Sequence, residues 1–391
     1  MPFPGSQQAD TVGLAWTIDH YRLPLRILGL ALILFPLIRF WRGGPNEPGV
    51  PGARSRKSRI APRILLSLLI LFYAVVFYFF NFRFEADKMF YQPTQKIFAG
   101  SAGNKIPLNK LVIGIVVNNE AKAYPIQLIG YHHQVRDTVG QMPLMITYCT
   151  VCRTGRVFSP ALDGKLEDFR LVGMDHFNAM FEDATTKSWW QQATGVSVAG
   201  PLKDHRLTEL PSQQLTLAEW LHQYPNSAIL QPDTLFKKHY DALALYDNGT
   251  IEGGLEHRDS ASWKPKSWVV GIRTGDGTKT SAGHAKAYDW NDLIRQQLIQ
   301  DTIGQTPVIL LLNSDSTSFH VWNRKVENET LTFTKAPDQP LLVDNTGAHW
   351  DLDGHCLDGR FKDQQLQSLQ SYQEFWHSWN HFHPSTTQYK P

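Results

Sequence analysis

Two apolar runs near the start of the chain differ from everything that follows. Residues 25–41 are interrupted only by Arg26 and Arg39 toward the edges and by Pro36, and residues 64–80 are almost purely apolar. Each approaches the roughly 20 residues that cross a bilayer core, and transmembrane helices tolerate Pro. The pattern predicts transmembrane helices over 24–41 and 64–82, with a tail at 1–23. The loop between them, 42–63, sets Arg42, Arg54, Arg56, Lys57, Arg59 and Arg63 against Glu47 alone. Its Gly43-Gly44-Pro45 and Pro48-Gly49-Val50-Pro51-Gly52 segments preclude a helix across it. Positive loops stay on the cytoplasmic side, so a two-pass protein of the cytoplasmic membrane is expected, with the bilayer as a partner. Both termini then lie outside, and the region from about Phe84 onward is periplasmic or extracellular. A cleaved signal peptide fits poorly, because the polar lead exceeds 20 residues and no small-residue cleavage site follows. The basic loop needs no role beyond contact with anionic lipid.

After an irregular lead-in at 83–110, the apolar positions fall into short β-branched runs. Residues 111–117, 121–124, 142–148, 156–158 and 169–172 read as strands, with Asn118-Asn119 as a two-residue hairpin turn. A short helix is expected after Pro125 and another over 215–224, with Thr216 as its cap and Pro225 beyond its end. A connector at 236–267 holds the turn signal Asp247-Asn248-Gly249. Strands at 268–272, 308–312 and 319–322 follow, then a helix near 372–381. Strands and helices without regular alternation predict an α+β fold.

The chain also repeats itself. Ala121-Lys122-Ala123-Tyr124 recurs 164 positions later as Ala285-Lys286-Ala287-Tyr288, and Asp137-Thr138-Val139-Gly140-Gln141 recurs as Asp301-Thr302-Ile303-Gly304-Gln305. Further on the offset slips to 159, where Gly195, Trp220, His222 and Pro225 meet Gly354, Trp379, His381 and Pro384. Ordered agreement of this extent predicts two tandem related modules, 111–235 and 268–391, packed as one unit after the membrane helices. The second copy lacks one feature. Cys149-Thr150-Val151-Cys152 falls opposite Asn313-Ser314-Asp315-Ser316, so the frame survives without the thiols.

Length and composition allow this plan: 391 residues, 42% hydrophobic and 12% aromatic, suffice for two packed cores. A net charge of +2 points to neither nucleic acid nor a strongly acidic partner. Outside the cytosol, Cys149 and Cys152 can form a reducible disulfide or act as a thiol pair. No helical run follows the motif, so a helix N-terminus is not expected to ionise a thiol; Arg153 and Arg156 are candidates for that task by nearby charge. His132 and His133 are also specific to the first module, and His132 is a candidate proton carrier or ligand. A Cys-x-x-Cys turn also serves as half of a metal site, and Cys149, Cys152 and His132 are an alternative donor set for zinc or copper. A structural bridge is the third alternative. Asp137, present in both copies, is expected to be a turn or cap residue, Cys356 a buried free thiol, and Trp189-Trp190 core packing. His377 and His381, one helical turn apart, have a spacing that suits a metal, without the Glu that would strengthen it. No phosphate-cradling glycine loop, serine-nucleophile elbow or paired-carboxylate site is present.

Ala123-Tyr124-Pro125, His132, Asp137-Thr138, Thr147-Tyr148-Cys149-x-x-Cys152, Gly173, Asp183-x-x-Thr186-x-Ser188-x-Trp190, Gly195 and Gly200-Pro201-Leu202 resemble the domain-of-unknown-function family numbered 3179. The resemblance covers the chain from about Leu111 to the C-terminus. It implies a prokaryotic, extracytoplasmic protein with redox chemistry at the cysteine pair, since some members are described as selenoproteins; it implies no substrate. Two positions depart from the usual pattern: His133 stands where Glu is common, and Thr150-Val151 where Pro-Leu is common. The expected function is a membrane-anchored thiol-disulfide module, with Cys149 or Cys152 attacking and His132 or Arg153 assisting ionisation, acting on an exoplasmic partner or substrate. No resident cofactor is expected on this reading. Metal binding or delivery, or a non-catalytic envelope scaffold, are its alternatives.

Overall fold

Asn118 and Asn119 both adopt left-handed backbone, with φ of 47° and 66°, the pair of angles a tight two-residue hairpin requires. They join Leu111–Val117 to Glu120–Pro125, and this hairpin is the centre of a five-stranded sheet. The computed structural model describes residues 9–42, 56–275, 283–336, 339 and 341–391, and its fold is α+β. Ile126–His132 is the short helix after Pro125, and His133, left-handed at φ 61°, turns the chain into Gln134–Val139. That strand, Met142–Cys149 and Thr154–Phe158 form a three-stranded antiparallel sheet. Phe169–Asp175, Asn178–Asp183, Trp189–Gln191 and Ser197–Ala199 form a third sheet beside it.

The second module repeats this plan around Trp268–Thr274 paired with His284–Asp289, the helix Trp290–Gln296, and the strands Leu298–Ile303, Thr306–Leu312 and Phe319–Asn323. Individual contacts recur at the offsets found in the sequence. Tyr124 donates its hydroxyl proton to Asp137 at 2.7 Å, and Tyr288 does the same to Asp301 at 2.9 Å. Lys122 and Lys286 pair with those carboxylates, so Asp137 is an anchor between strands and not a cap. Trp220 covers Gly114 and donates to Ser227; Trp379 covers Gly271 and donates to Thr386. Trp190 donates to Asp183 and Trp350 to Asp344, each closing a turn that the same carboxylate caps.

The two modules meet through equivalent positions. Gln214 donates to Gln373, its counterpart 159 residues on, at 2.9 Å. The amide of Thr216 donates to Ser318 in the second module's turn, and the amide of Phe375 donates to Cys152 in the first module's turn, at 3.0 Å. Each turn therefore docks on the other module's strand-to-helix junction. One element differs from expectation here. The 372–381 segment is the strand Ser371–Phe375 followed by the helix Trp376–Phe382, because alternate residues Tyr372 and Glu374 are needed in the sheet against Trp268–Thr274. Likewise Gln213–Thr216 is strand, and the helix is Leu217–Gln223, with Thr216 as its cap accepting from Glu219.

Among the described residues, one helical stretch, Ile64–Arg83, is long and apolar enough to cross a membrane. Arg22–Arg42 is also helical, and Arg22 forms an ion pair with Glu85 at 2.9 Å. Two spanning helices are therefore not established by the structure. The basic-loop residues 43–55, and residues 1–8 of the tail, lie outside the described residues. The short helix Val12–His20 lies on the first module: Val12 and Trp16 pack against Met180, Trp189 and Ala199, and Trp16 donates to the Lys187 carbonyl at 2.7 Å.

Candidate functional site at the Cys149 turn

Met142–Cys149 and Thr154–Phe158 are joined by the tight turn at 150–153, in which Arg153 is left-handed at φ 55°. Cys149 ends the buried strand and Cys152 sits on the turn; both are free thiols, 1% and 0% exposed. They pack with Met145, Phe158, Phe169, Phe181 and Trp190, and Ala86 and Phe90, just beyond the apolar helix, rest on the same cluster. The Cys149 thiol donates to the Phe177 carbonyl at 3.5 Å. Phe177 lies at the tip of the turn at 175–178, where it and His176 are both left-handed without being glycine.

The two sulfurs are driven apart in acidity. Cys149 is held below the usual thiol range, chiefly because the Cys152 thiol donates to it; burial opposes this, and the amides of Ala179, Cys152 and Val151 add further donors. Cys152 is pushed well above the usual range, first by burial and then by its donation to Cys149. Ser378 and Asn178 lie against Cys152 and offset part of that rise. Of the two, Cys149 is the more readily ionised and Cys152 the one that keeps its proton longer.

Residues outside the first module hold the turn from its other side. Lys266 Nζ donates to the Val151 carbonyl at 2.7 Å, and His377 Nε2 lies 3.1 Å from the same oxygen. Ser378 meets Thr154 at 3.3 Å. His377 is lowered to about 4 by burial and then by the Lys266 charge, so it is neutral at ordinary pH. His381, on the same helix, stacks on His176 with ring centroids 3.7 Å apart. His377 and His381 thus face different partners, and no metal group forms from them among the described residues. No motif or spacing in the sequence marks Lys266, Asn178 or Ser378. The repeat frame was the one usable signal, because it places the 375–378 junction opposite the Thr216 cap.

The other candidates lie elsewhere. His132 is buried with both ring nitrogens occupied, Nδ1 by the Tyr91 carbonyl and Nε2 by the Tyr240 hydroxyl at 2.7 Å. It sits in an aromatic packet with Phe236 and Tyr240, not beside the thiols as expected. Arg153 points into the junction between modules: Nε donates to Gln373 at 2.8 Å, the terminal nitrogens to the Tyr246 and Asp247 carbonyls, and the guanidinium lies 3.8 Å over the Trp268 ring. Left-handed backbone at Arg153 turns its side chain away from the sulfurs. Arg156 pairs with buried Glu374. Neither arginine is the counter-charge of the thiols. Cys149, Cys152 and His132 do not converge as a metal donor set; the one group of three that does among the described residues is Glu219, His222 and Asp353, with His222 exposed and the two carboxylates half-buried. Cys356 is buried in the second module, its thiol donating to the Asp358 carbonyl at 3.1 Å.

No curated protein and no solved structure matches this chain. The model of one family, described as protein of unknown function (DUF3179), matches residues 95–386, from the strand lead-in through both modules. The match takes in the cysteine turn, the two Tyr–Asp anchors and the helix that closes over the thiols, and on that extent the chain belongs to the DUF3179 family.

Proposed function

We propose that this protein is a membrane-anchored, extracytoplasmic thiol-disulfide module in which Cys149 is the nucleophile and Cys152 the resolving thiol. The observation that carries this reading is geometric: two free, unbridged thiols lie on one strand-to-turn segment, packed in one cluster under the turn at 175–178, with Cys149 ending the strand and Cys152 on the turn. The two thiols are free and not bridged, and among the described residues no further donors are brought to the pair to complete a metal site. The Cys149 thiolate attacks one sulfur of a substrate disulfide, forming a mixed disulfide and expelling the other sulfur as thiolate. Cys152 then loses its proton and attacks the Cys149 sulfur, releasing the second substrate thiol and closing a Cys149–Cys152 bond. Two electrons pass to the substrate, and an external dithiol restores the pair.

The closed site sets a condition on access. Both sulfurs are buried, so substrate reaches Cys149 only when a covering element moves, and the turn at 175–178, whose Phe177 carbonyl lies 3.5 Å from the Cys149 sulfur, is the nearest such cover. Anchoring is supported by the Ile64–Arg83 helix and by the packing of Val12–His20 on the first module. A second span over Arg22–Arg42 would put both ends of the helix pair on one side and the basic 42–63 loop on the other, and the contact of Val12–His20 with the first module supports that reading. The test is a trap. Cys152→Ser in the full chain, challenged with an aromatic disulfide reagent, should hold a stable mixed disulfide on Cys149. Cys149→Ser should hold none, and equal trapping by the two variants contradicts the assignment.

A further inference from the structure

One peptide group links the thiol site to a cation outside it. The carbonyl between Val151 and Cys152 accepts from Lys266 Nζ at 2.7 Å, while the N–H at its other end, that of Cys152, faces the Cys149 sulfur. A peptide carries a dipole of about 3.5 D. With its oxygen held by an ammonium, the positive end of this dipole is fixed toward the sulfur. Lys266 itself is braced, 4.5 Å from the Phe375 ring centroid and 3.3 Å from His377 Nε2.

The charged and titratable neighbours leave this task to Lys266. On the turn, Cys152 keeps its proton and Arg153 is spent on the junction. Behind the strand, Tyr148 and Tyr246 are both pushed up by burial and stay neutral. From the turn at 175–178, Asp175 and His176 pair with each other at 2.7 Å. Burial pulls Lys266 below the usual lysine range, and the charges of Cys152, Cys149 and Glu256 act against that pull and favour its ammonium; from the connector, Glu256 also accepts from Thr150 at 3.4 Å. From the helix Trp376–Phe382, His377 adds no charge and His381 faces His176.

We propose that Lys266 is the positioning residue of the thiol site, holding the Val151 carbonyl so that the Cys152 N–H and the ammonium charge together favour negative charge on the Cys149 sulfur. This rests on the thiol-redox reading and adds that the thiol module is incomplete by itself. The ionising charge comes from the connector, and its brace comes from the module that has no cysteine pair.

The experiment uses the full chain in detergent with Cys356→Ser as background. Thiolate absorbance is followed against pH, with Cys149→Ser as the blank, for the background protein, Lys266→Met, Lys266→Gln and Lys266→Arg. Lys266→Met and Lys266→Gln should raise the Cys149 midpoint by about one pH unit, leaving about tenfold less thiolate below it. Lys266→Arg should restore most of the shift, and the unfolding midpoint reports folding separately. An unmoved midpoint in Lys266→Gln, or equal shifts in the Arg and Gln variants, overturns the proposal. If the background protein itself lacks an acid-shifted Cys149, the thiol-redox reading fails first, and the two failures are thereby distinguished.

Discussion

Arg156 and Glu374 form an ion pair across the module junction, 2% and 1% exposed, and Glu374→Gln is the perturbation that weighs it. The variant keeps the shape and removes the charge, leaving the Arg156 guanidinium buried. Breaking such a pair from one side costs about 3–5 kcal/mol. Three contacts place this case near the lower end. Glu209 stands 3.5 Å from Arg156 Nε, the Ala193 carbonyl accepts from the same nitrogen at 3.2 Å, and the Tyr372 ring lies 3.3 Å beneath the guanidinium. A loss of about 3 kcal/mol is expected in denaturant unfolding of the full chain. Arg156→Met combined with Glu374→Gln should be less destabilised than Glu374→Gln alone, because no buried charge is then left unpaired. The next residue, Phe375, donates to the Cys152 carbonyl, so loosening this junction should also speed alkylation of Cys149. A loss below about 1 kcal/mol, where exposed pairs fall, with unchanged alkylation, would refute the claim that the modules are clamped together at the thiol turn.

Three further outcomes follow from the same geometry. Gly114→Ala and Gly271→Ala each bring a Cβ within 2.2 Å of a tryptophan ring, so each should cost at least the ~1–3 kcal/mol of an overpacked core, read from urea midpoints. His133, His320 and His377 are held neutral by burial, each with an acidity near 4. The unfolded chain therefore takes up their protons first, and stability should fall as pH drops below about 6.5, by about 1 kcal/mol per histidine at pH 5.5; a flat profile between pH 7 and 5 would contradict this. Arg153→Met should lower the unfolding midpoint while leaving the Cys149 thiolate titration unchanged, since its guanidinium serves the junction and not the sulfurs.

What the sequence made legible was local or repeated. The Asn118-Asn119 hairpin, the strand that ends at Cys149 and the Thr216 cap follow from short-range patterns. The duplicated Tyr–Asp contacts surfaced as duplicated words. The surroundings of the thiols were not local. Lys266 and His377 lie more than 100 residues from the turn they hold, and no spacing rule links them to it. His132 is specific to the first module without being near its thiols, because the helix Ile126–His132 ends in an aromatic packet. Arg153 is adjacent to Cys152 in sequence yet directed elsewhere, because left-handed backbone at Arg153 turns its side chain into the junction.

The most direct test of the central claim is an equilibrium titration of the full chain against glutathione redox buffers, with the Cys149–Cys152 linkage identified by peptide mass mapping. One two-electron transition that joins those two sulfurs, and vanishes in Cys149→Ser and in Cys152→Ser, is the expected result. Thiols that stay reduced across the whole range, or a transition that joins Cys356 instead, would contradict it.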